Sequence, residues 1–264
     1  MRRRRDYFNY LIDIEGVLVR DKRYAAIPGA RDWFASLPDR GISYCLVSNN
    51  TTHTPEELRR DLAGAGFPIE PERLVTALEL GADLLARWGK ERLLWLGVPQ
   101  MVDYWQKAGF KVVAEGACDA VVLGAHAGLQ TADLNRALPA LLDHGAELVA
   151  LHRNHFFLDK SGQRRLGPGA WCAALEPLSQ AGRAVCVGKP SERIFREALK
   201  RIGVVANEAL FISDDPLSDL VTAKHLGLGT VFVLSGKYTD HEVLGRMVQE
   251  DWPDIICQGV AELG

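Results

Sequence analysis

Eight short apolar runs, at residues 10–13, 43–47, 93–96, 120–123, 148–151, 184–187, 210–213 and 230–234, are separated by stretches mostly long enough for a helix. Apolar runs of this length, bounded by turn residues, read as strands buried on both faces. Strands of that kind alternating with helices assemble into a parallel sheet with crossover connections. The expected fold is therefore α/β, a doubly wound, Rossmann-like sheet. Helix punctuation agrees with this. Thr54-Pro55-Glu56-Glu57 combines a capping box with proline at the first helical position. Gly41, Gly66, Gly109 and Gly203 suit helix ends or the turns just beyond them.

Charge and cysteine usage narrow the function classes. The 264 residues carry 31 Lys+Arg against 34 Asp+Glu, a net charge of −3, which gives no support to nucleic-acid binding. The one basic run, Arg2-Arg3-Arg4-Arg5, reads as a solvated terminus. Asp6, Asn9 and Asp13 interrupt the apolar stretch that a signal peptide would need after it. No segment approaches the ~20 apolar residues that span a bilayer. Cys45, Cys118, Cys172, Cys186 and Cys257 are odd in number, scattered and without a C-x-x-C pair, which argues against a disulfide framework or a zinc site. A cytoplasmic protein with no membrane and no nucleic-acid partner is expected.

The chemistry concentrates where strands end. Asp13 closes the first apolar run and is followed by Glu15 and Gly16. Ligands bind at the carboxyl ends of strands in open α/β sheets, and glycine there lets backbone N–H groups approach a phosphate. Ser48-Asn49-Asn50 follows the second run, Lys189-Pro190 follows the sixth, and Asp214-Asp215 with Asp219 follow the seventh. A nucleophilic carboxylate, a cation for the phosphoryl oxygens and hard oxygen ligands for Mg²⁺ are the parts that phosphoryl transfer requires. The acidic cluster has a second use, in which Asp214 and Asp219 cap a helix starting near Leu217. The stretch between the second and third of these motifs repeats an αβ pattern without a catalytic motif. It reads as an inserted αβ cap domain, 78–180, within a discontinuous core of 1–77 and 181–264.

This order and spacing resemble the haloacid dehalogenase superfamily of phosphohydrolases. Ser48-Asn49-Asn50, Leu166-Gly167-Pro168-Gly169, Val187-Gly188-Lys189-Pro190 and Ser213-Asp214-Asp215 with Asp219 resemble the subgroup that includes NagD-type and p-nitrophenylphosphatase-like enzymes. Residues 148–169 and Ser235-Gly236-Lys237-Tyr238 look similar to the branch containing the phospholysine/phosphohistidine/pyrophosphate phosphatase. The resemblance implies that Asp13 attacks phosphorus and binds Mg²⁺. It implies that the main-chain carbonyl of Glu15 and the Asp214 carboxylate are further ligands, with Asp219 or Asp215 supporting metal-bound water. It assigns phosphoryl binding to Gly16, Ser48, Asn49, Asn50 and Lys189, and contact with the rest of the substrate to Asn154 or His155. A small phosphorylated substrate, restricted in size by the cap, follows from it, and a homodimer is compatible with it. Hydrolase and phosphotransferase stay open.

Two positions depart from the family pattern. Glu15 stands where the family has a second aspartate, one methylene shorter, so either a slowed phosphatase or a phosphate-binding protein without turnover is expected. Ser213 stands where the family usually has glycine, and because a small residue is kept, little effect is expected. His152 and His155 have metal-like spacing but no supporting ligand pattern, and the six scattered tryptophans read as core.

Overall fold

The computed structural model describes residues 8–20, 24–158 and 163–264. The Arg2-Arg3-Arg4-Arg5 run lies outside them. The chain divides into two compact units, Met1–Ser48 with Leu58–Val75 and Glu192–Gly264, and Asn49–Glu57 with Thr76–Ser191.

The first unit is built on a six-stranded sheet. From edge to edge its strands are Ile255–Cys257, Gly229–Val233, Leu210–Ser213, Asn9–Ile12, Ser43–Ser48 and Leu74–Thr76. Pairing is parallel from Ile255–Cys257 through to Ser43–Ser48. The chain begins in the middle of this sheet, winds to one side, and returns after the second unit to wind to the other. Strand order therefore reverses between Asn9–Ile12 and Leu210–Ser213, with Ile12 level with Ile212 on one side and Leu46 on the other. That reversal opens a crevice at the carboxyl ends of these strands.

The strands are mostly apolar because both faces are covered. Tyr10, Ile12, Leu46, Leu210, Ile212 and Val231 pack with Trp33 and Phe34 of helix Ala30–Ser36. The intervening Leu11 and Phe211 are fully buried too, and Phe195 meets Phe211 edge-on with ring centroids 4.9 Å apart. Phe195 belongs to helix Glu192–Ile202, whose buried residues Ile194, Phe195, Ala198 and Leu199 fall on one face. The capping box forms as read: Thr54 N–H donates to Glu57 Oε2 at 2.8 Å and Glu57 N–H to Thr54 Oγ1 at 3.2 Å.

The second unit has its own five-stranded parallel sheet, ordered Val185–Cys186, Glu147–Ala150, Ala120–Leu123, Arg92–Leu96 and Lys111–Val113. Leu94, Val121, Leu123 and Leu148 form its core with Leu141, Cys172 and Leu175. An antiparallel pair, Phe156–Leu158 with Arg164–Leu166, accompanies it. The run at 184–187 thus joins this sheet rather than the first: Val185 registers with Val149 and Cys186 with Ala150, and Gly188 N–H continues the ladder to Leu151 O at 2.7 Å. A four-residue apolar run carries no label for the sheet it will pair with. The second unit accordingly extends to Ser191, past the 180/181 division read from the sequence. All five cysteines are free.

Candidate active site

In the first unit the side chains of interest lie at the ends of three neighbouring strands, Leu210–Ser213, Asn9–Ile12 and Ser43–Ser48. Asp13 is only 6% exposed. Its N–H extends the ladder to Ile212 O at 2.9 Å, and its Oδ1 accepts from Ile14 N–H at 2.8 Å. Ser213, directly across, is fully buried, and its Oγ lies 3.3 Å from both Asp13 Oδ2 and Asp219 Oδ2. Asp215 N–H donates to the same hydroxyl at 3.2 Å. Ser48, at the third strand end, is also fully buried.

Asp214 sits against backbone. Gly16 has φ +83°, and a Cβ on either Gly16 or Gly236 would overlap Asp214 Oδ2. Lys237 N–H donates to that oxygen at 2.6 Å, and Ser235 Oγ donates to Gly16 O at 2.7 Å, tying the two loops together. The Glu15 backbone is held in the same way, by a bridge to Val19 and by Gly16 N–H donating to Val19 O at 2.8 Å. Gly236 and Lys237 are neighbours of Asp214 that the four motifs do not include, although a Ser-Gly-Lys at the end of the next strand, Gly229–Val233, is a signal for them.

Helix capping falls to Asp215, not to Asp214 or Asp219: Asp215 Oδ1 accepts from Ser218 N–H at 3.2 Å at the head of a π-helical turn, Pro216–Leu220. The other two carboxylates lack this use because Asp214 faces the glycines and Asp219, 4% exposed, faces Ser213. Asp215 Oδ2 also takes a 2.7 Å bond from Lys237 Nζ. Burial would lower the Lys237 pKa, but the Asp215 charge and hydrogen bond outweigh it and hold the ammonium above its usual range.

The second unit holds the remaining candidates. Asn49 clasps the Lys189 backbone at two points: its Oδ1 accepts from Lys189 N–H at 2.7 Å and its Nδ2 donates to Lys189 O at 3.0 Å. Lys189 is 2% exposed and precedes a cis proline. Gly188 is required there, since a Cβ would run into Asn49 Oδ1 and Leu151 O. Asn50 Oδ1 is engaged in a turn, accepting from Thr52 N–H at 2.9 Å and His53 N–H at 3.1 Å. Asn154 and His155 stand on a loop pinned by Gly167 N–H to His155 O and Gly169 N–H to Asn154 O at 2.7 and 3.1 Å. His155 is exposed, whereas Asn154 Oδ1 is buried without a hydrogen-bond partner.

A family profile for haloacid dehalogenase-like hydrolases matches residues 10–111, and an HAD-hydrolase-like profile matches residues 186–263. Haloacid dehalogenase-like hydrolase domain-containing protein 2 of Homo sapiens is 33% identical over 230 residues, covering 86% of this chain and 84% of the relative. This chain belongs to the haloacid dehalogenase-like hydrolases. Within that family it is of the NagD type. Ribonucleotide monophosphatase NagD of Escherichia coli K12 is 28% identical over 257 residues, 97% of each chain. The p-nitrophenyl phosphatase from Archaeoglobus fulgidus superposes with a TM-score of 0.85 at 26% identity, covering 98% of both chains.

For this haloacid dehalogenase-like hydrolase the donors at the first strand ends are all oxygen, which suits a small hard cation such as Mg²⁺. Among the described residues no three Asp, Glu, His or Cys side chains form a ready-made cage. Mg²⁺ asks for less, since it is typically held by one or two carboxylates and keeps several waters. The enclosure of Asp214 makes one expectation here. Gly236→Ala should cost about 1–3 kcal/mol of stability through overpacking against Asp214. Gly245→Ala, which meets nothing within 4 Å, should stay within about 0.5 kcal/mol in the same urea titration.

Proposed function

We propose that the chain is a Mg²⁺-dependent phosphatase that hydrolyses a small phosphorylated metabolite, or a phosphoramidate or pyrophosphate, through an aspartyl-phosphate on Asp13. The observation that carries this reading is the buried Asp13 carboxylate at the strand-order reversal, joined through Ser213 to Asp219 and followed by the glycine that borders Asp214. An aspartate held there by backbone and hydroxyl hydrogen bonds is set for attack on phosphorus. The relatives support a phosphomonoester: they include proteins named as a ribonucleotide monophosphatase, a sugar-phosphatase and p-nitrophenyl phosphatases.

In this reading an Asp13 oxygen bonds to phosphorus as the substrate's P–O bond breaks, and Glu15 gives the leaving oxygen its proton. Water then attacks phosphorus, Glu15 takes the water's proton, and the bond to Asp13 breaks to release orthophosphate. Gly16, Ser48, Asn49, Asn50 and Lys189 are assigned to the phosphoryl oxygens, and Lys189 also to offsetting the charge of Asp13. Asn154 or His155 is assigned to the remainder of the substrate, with the second unit in the role of cap. Asp13, the Glu15 carbonyl and Asp214 would hold Mg²⁺, with Asp219 or Asp215 beside its waters, and the ion supplies positive charge against the phosphate. A cytoplasmic setting belongs to the same reading.

Phosphate release from p-nitrophenyl phosphate, measured with Mg²⁺ and after chelation, tests it. Turnover should vanish on chelation and return on adding Mg²⁺ back. Independently of turnover, Mg²⁺ at about 100 times its dissociation constant should stabilise the wild type by about 2.7 kcal/mol and leave Asp214→Asn nearly unmoved. Phosphate release indifferent to the metal, with no metal-dependent stabilisation, would sink the assignment.

A further inference from the structure

Ser213 is the position where the local structure does more than the sequence suggested. Its hydroxyl has one proton and two carboxylate oxygens, Asp13 Oδ2 and Asp219 Oδ2, each 3.3 Å away. Both separations exceed the usual ~2.7–2.8 Å of an unshared O–H···O bond, as one proton between two acceptors requires. Asp215 N–H, donating to the hydroxyl at 3.2 Å, occupies one of its lone pairs and turns the proton toward the carboxylates. The serine is fully buried, so water does not replace these partners. We infer that Ser213 is a positioning residue that speeds breakdown of the aspartyl-phosphate, its hydroxyl alternating between Asp219 and the departing Asp13 carboxylate.

The inference rests on the aspartyl-phosphate reading and deepens it. With a phosphoryl group attached, Asp13 is an acyl phosphate and a weak acceptor, and Asp219 Oδ2, 3.3 Å away, holds the Ser213 proton. When water's oxygen bonds to phosphorus and gives its proton to Glu15, the Asp13–phosphorus bond breaks and its electron pair returns to the Asp13 carboxylate. A hydrogen bond to that growing charge strengthens along the step, which is the condition for accelerating it. The same bond stabilises Asp13 before attack, so it does not help, and slightly opposes, formation of the intermediate. Its effect is to keep the phosphoenzyme short-lived and so to favour hydrolysis over storage.

Ser213→Ala and Ser213→Gly remove the hydroxyl, and Ser213→Thr retains it. Each is charged with ³²P-labelled substrate in Mg²⁺, chased with unlabelled substrate and acid-quenched, with p-nitrophenolate release followed in parallel. The phosphoenzyme of the Ala and Gly variants should decay about tenfold more slowly, the size expected for losing a hydrogen bond to a charged group. Its steady-state level should rise, with kcat/KM unchanged or higher and Thr close to wild type. A merely structural role would lower kcat/KM without raising the phosphoenzyme, and that result overturns the inference while leaving the phosphatase standing. Label absent from the wild type but phosphate still released overturns the covalent reading and this one with it. Two hydroxyl-free variants are used so that misfolding of one leaves the other to decide.

Discussion

Asp13→Asn is expected to lower kcat/KM by roughly 10⁴–10⁶-fold, the scale on which removing a covalent nucleophile acts. The amide has nearly the shape of the carboxylate but no nucleophilic oxygen anion. Two of its hydrogen bonds survive the change. The side-chain carbonyl keeps the 2.8 Å bond from Ile14 N–H, and the amide group can donate to Ser213 Oγ, 3.3 Å from the position it would fill. Asp13, Asp214, Asp215 and Asp219 crowd one strand-end region, so removing one negative charge relieves repulsion there, against the loss of the charge that Lys189 is assigned to offset, and stability should stay close to that of the wild type. The two measurements together are diagnostic: p-nitrophenyl phosphate turnover lost, urea midpoint held. Residual activity within tenfold of wild type would mean that water attacks phosphorus directly and that no aspartyl-phosphate forms.

Why Asp13 was visible in the sequence, and other parts were not, has a physical basis. Buried parallel strands must be apolar on both faces, so Asn9–Ile12, Leu210–Ser213 and Gly229–Val233 stand out as uninterrupted runs, and a charge at their ends is conspicuous. The edge strands Leu74–Thr76, Lys111–Val113 and Ile255–Cys257, three residues each, escaped notice because an edge has one neighbour and needs less apolar surface. The sheet joined by Val185–Cys186 depends on which free edge meets it, a nonlocal property absent from the run itself. Ser213 looked like a tolerated replacement for glycine because sequence spacing does not show that its hydroxyl faces Asp219, six residues away across the turn Pro216–Leu220. Gly236 lies 220 residues from Gly16 in the chain, yet the two enclose the same carboxylate oxygen.

Glu15→Asp should raise kcat on the order of 10- to 100-fold, with KM for p-nitrophenyl phosphate moving far less. The extra methylene extends the side chain by about one C–C bond, roughly 1.5 Å, and misplacing a catalytic group by about 1 Å can cost 10²-fold. Relaxation of the main chain is a poor remedy, because the segment is fixed on both sides: Glu15 bridges to Val19, Gly16 N–H donates to Val19 O at 2.8 Å, and Ser235 Oγ donates to Gly16 O at 2.7 Å. The main-chain carbonyl assigned to Mg²⁺ is untouched by the substitution, so the metal-induced stabilisation should be the same in both proteins. A correctly placed acid contributes about 10²–10⁴-fold when the leaving oxygen needs a proton and little when it does not. The gain in kcat/KM, which reports the first step, should therefore grow with leaving-group pKa, small for nitrophenolate and large for an alkyl phosphate, while the gain in phosphoenzyme breakdown, where Glu15 takes water's proton, should be the same for all. No gain in either step would locate the defect elsewhere than proton transfer. A fall in kcat would mean that the pocket is shaped around the longer acid and that Glu15 is the better residue for this protein's own substrate.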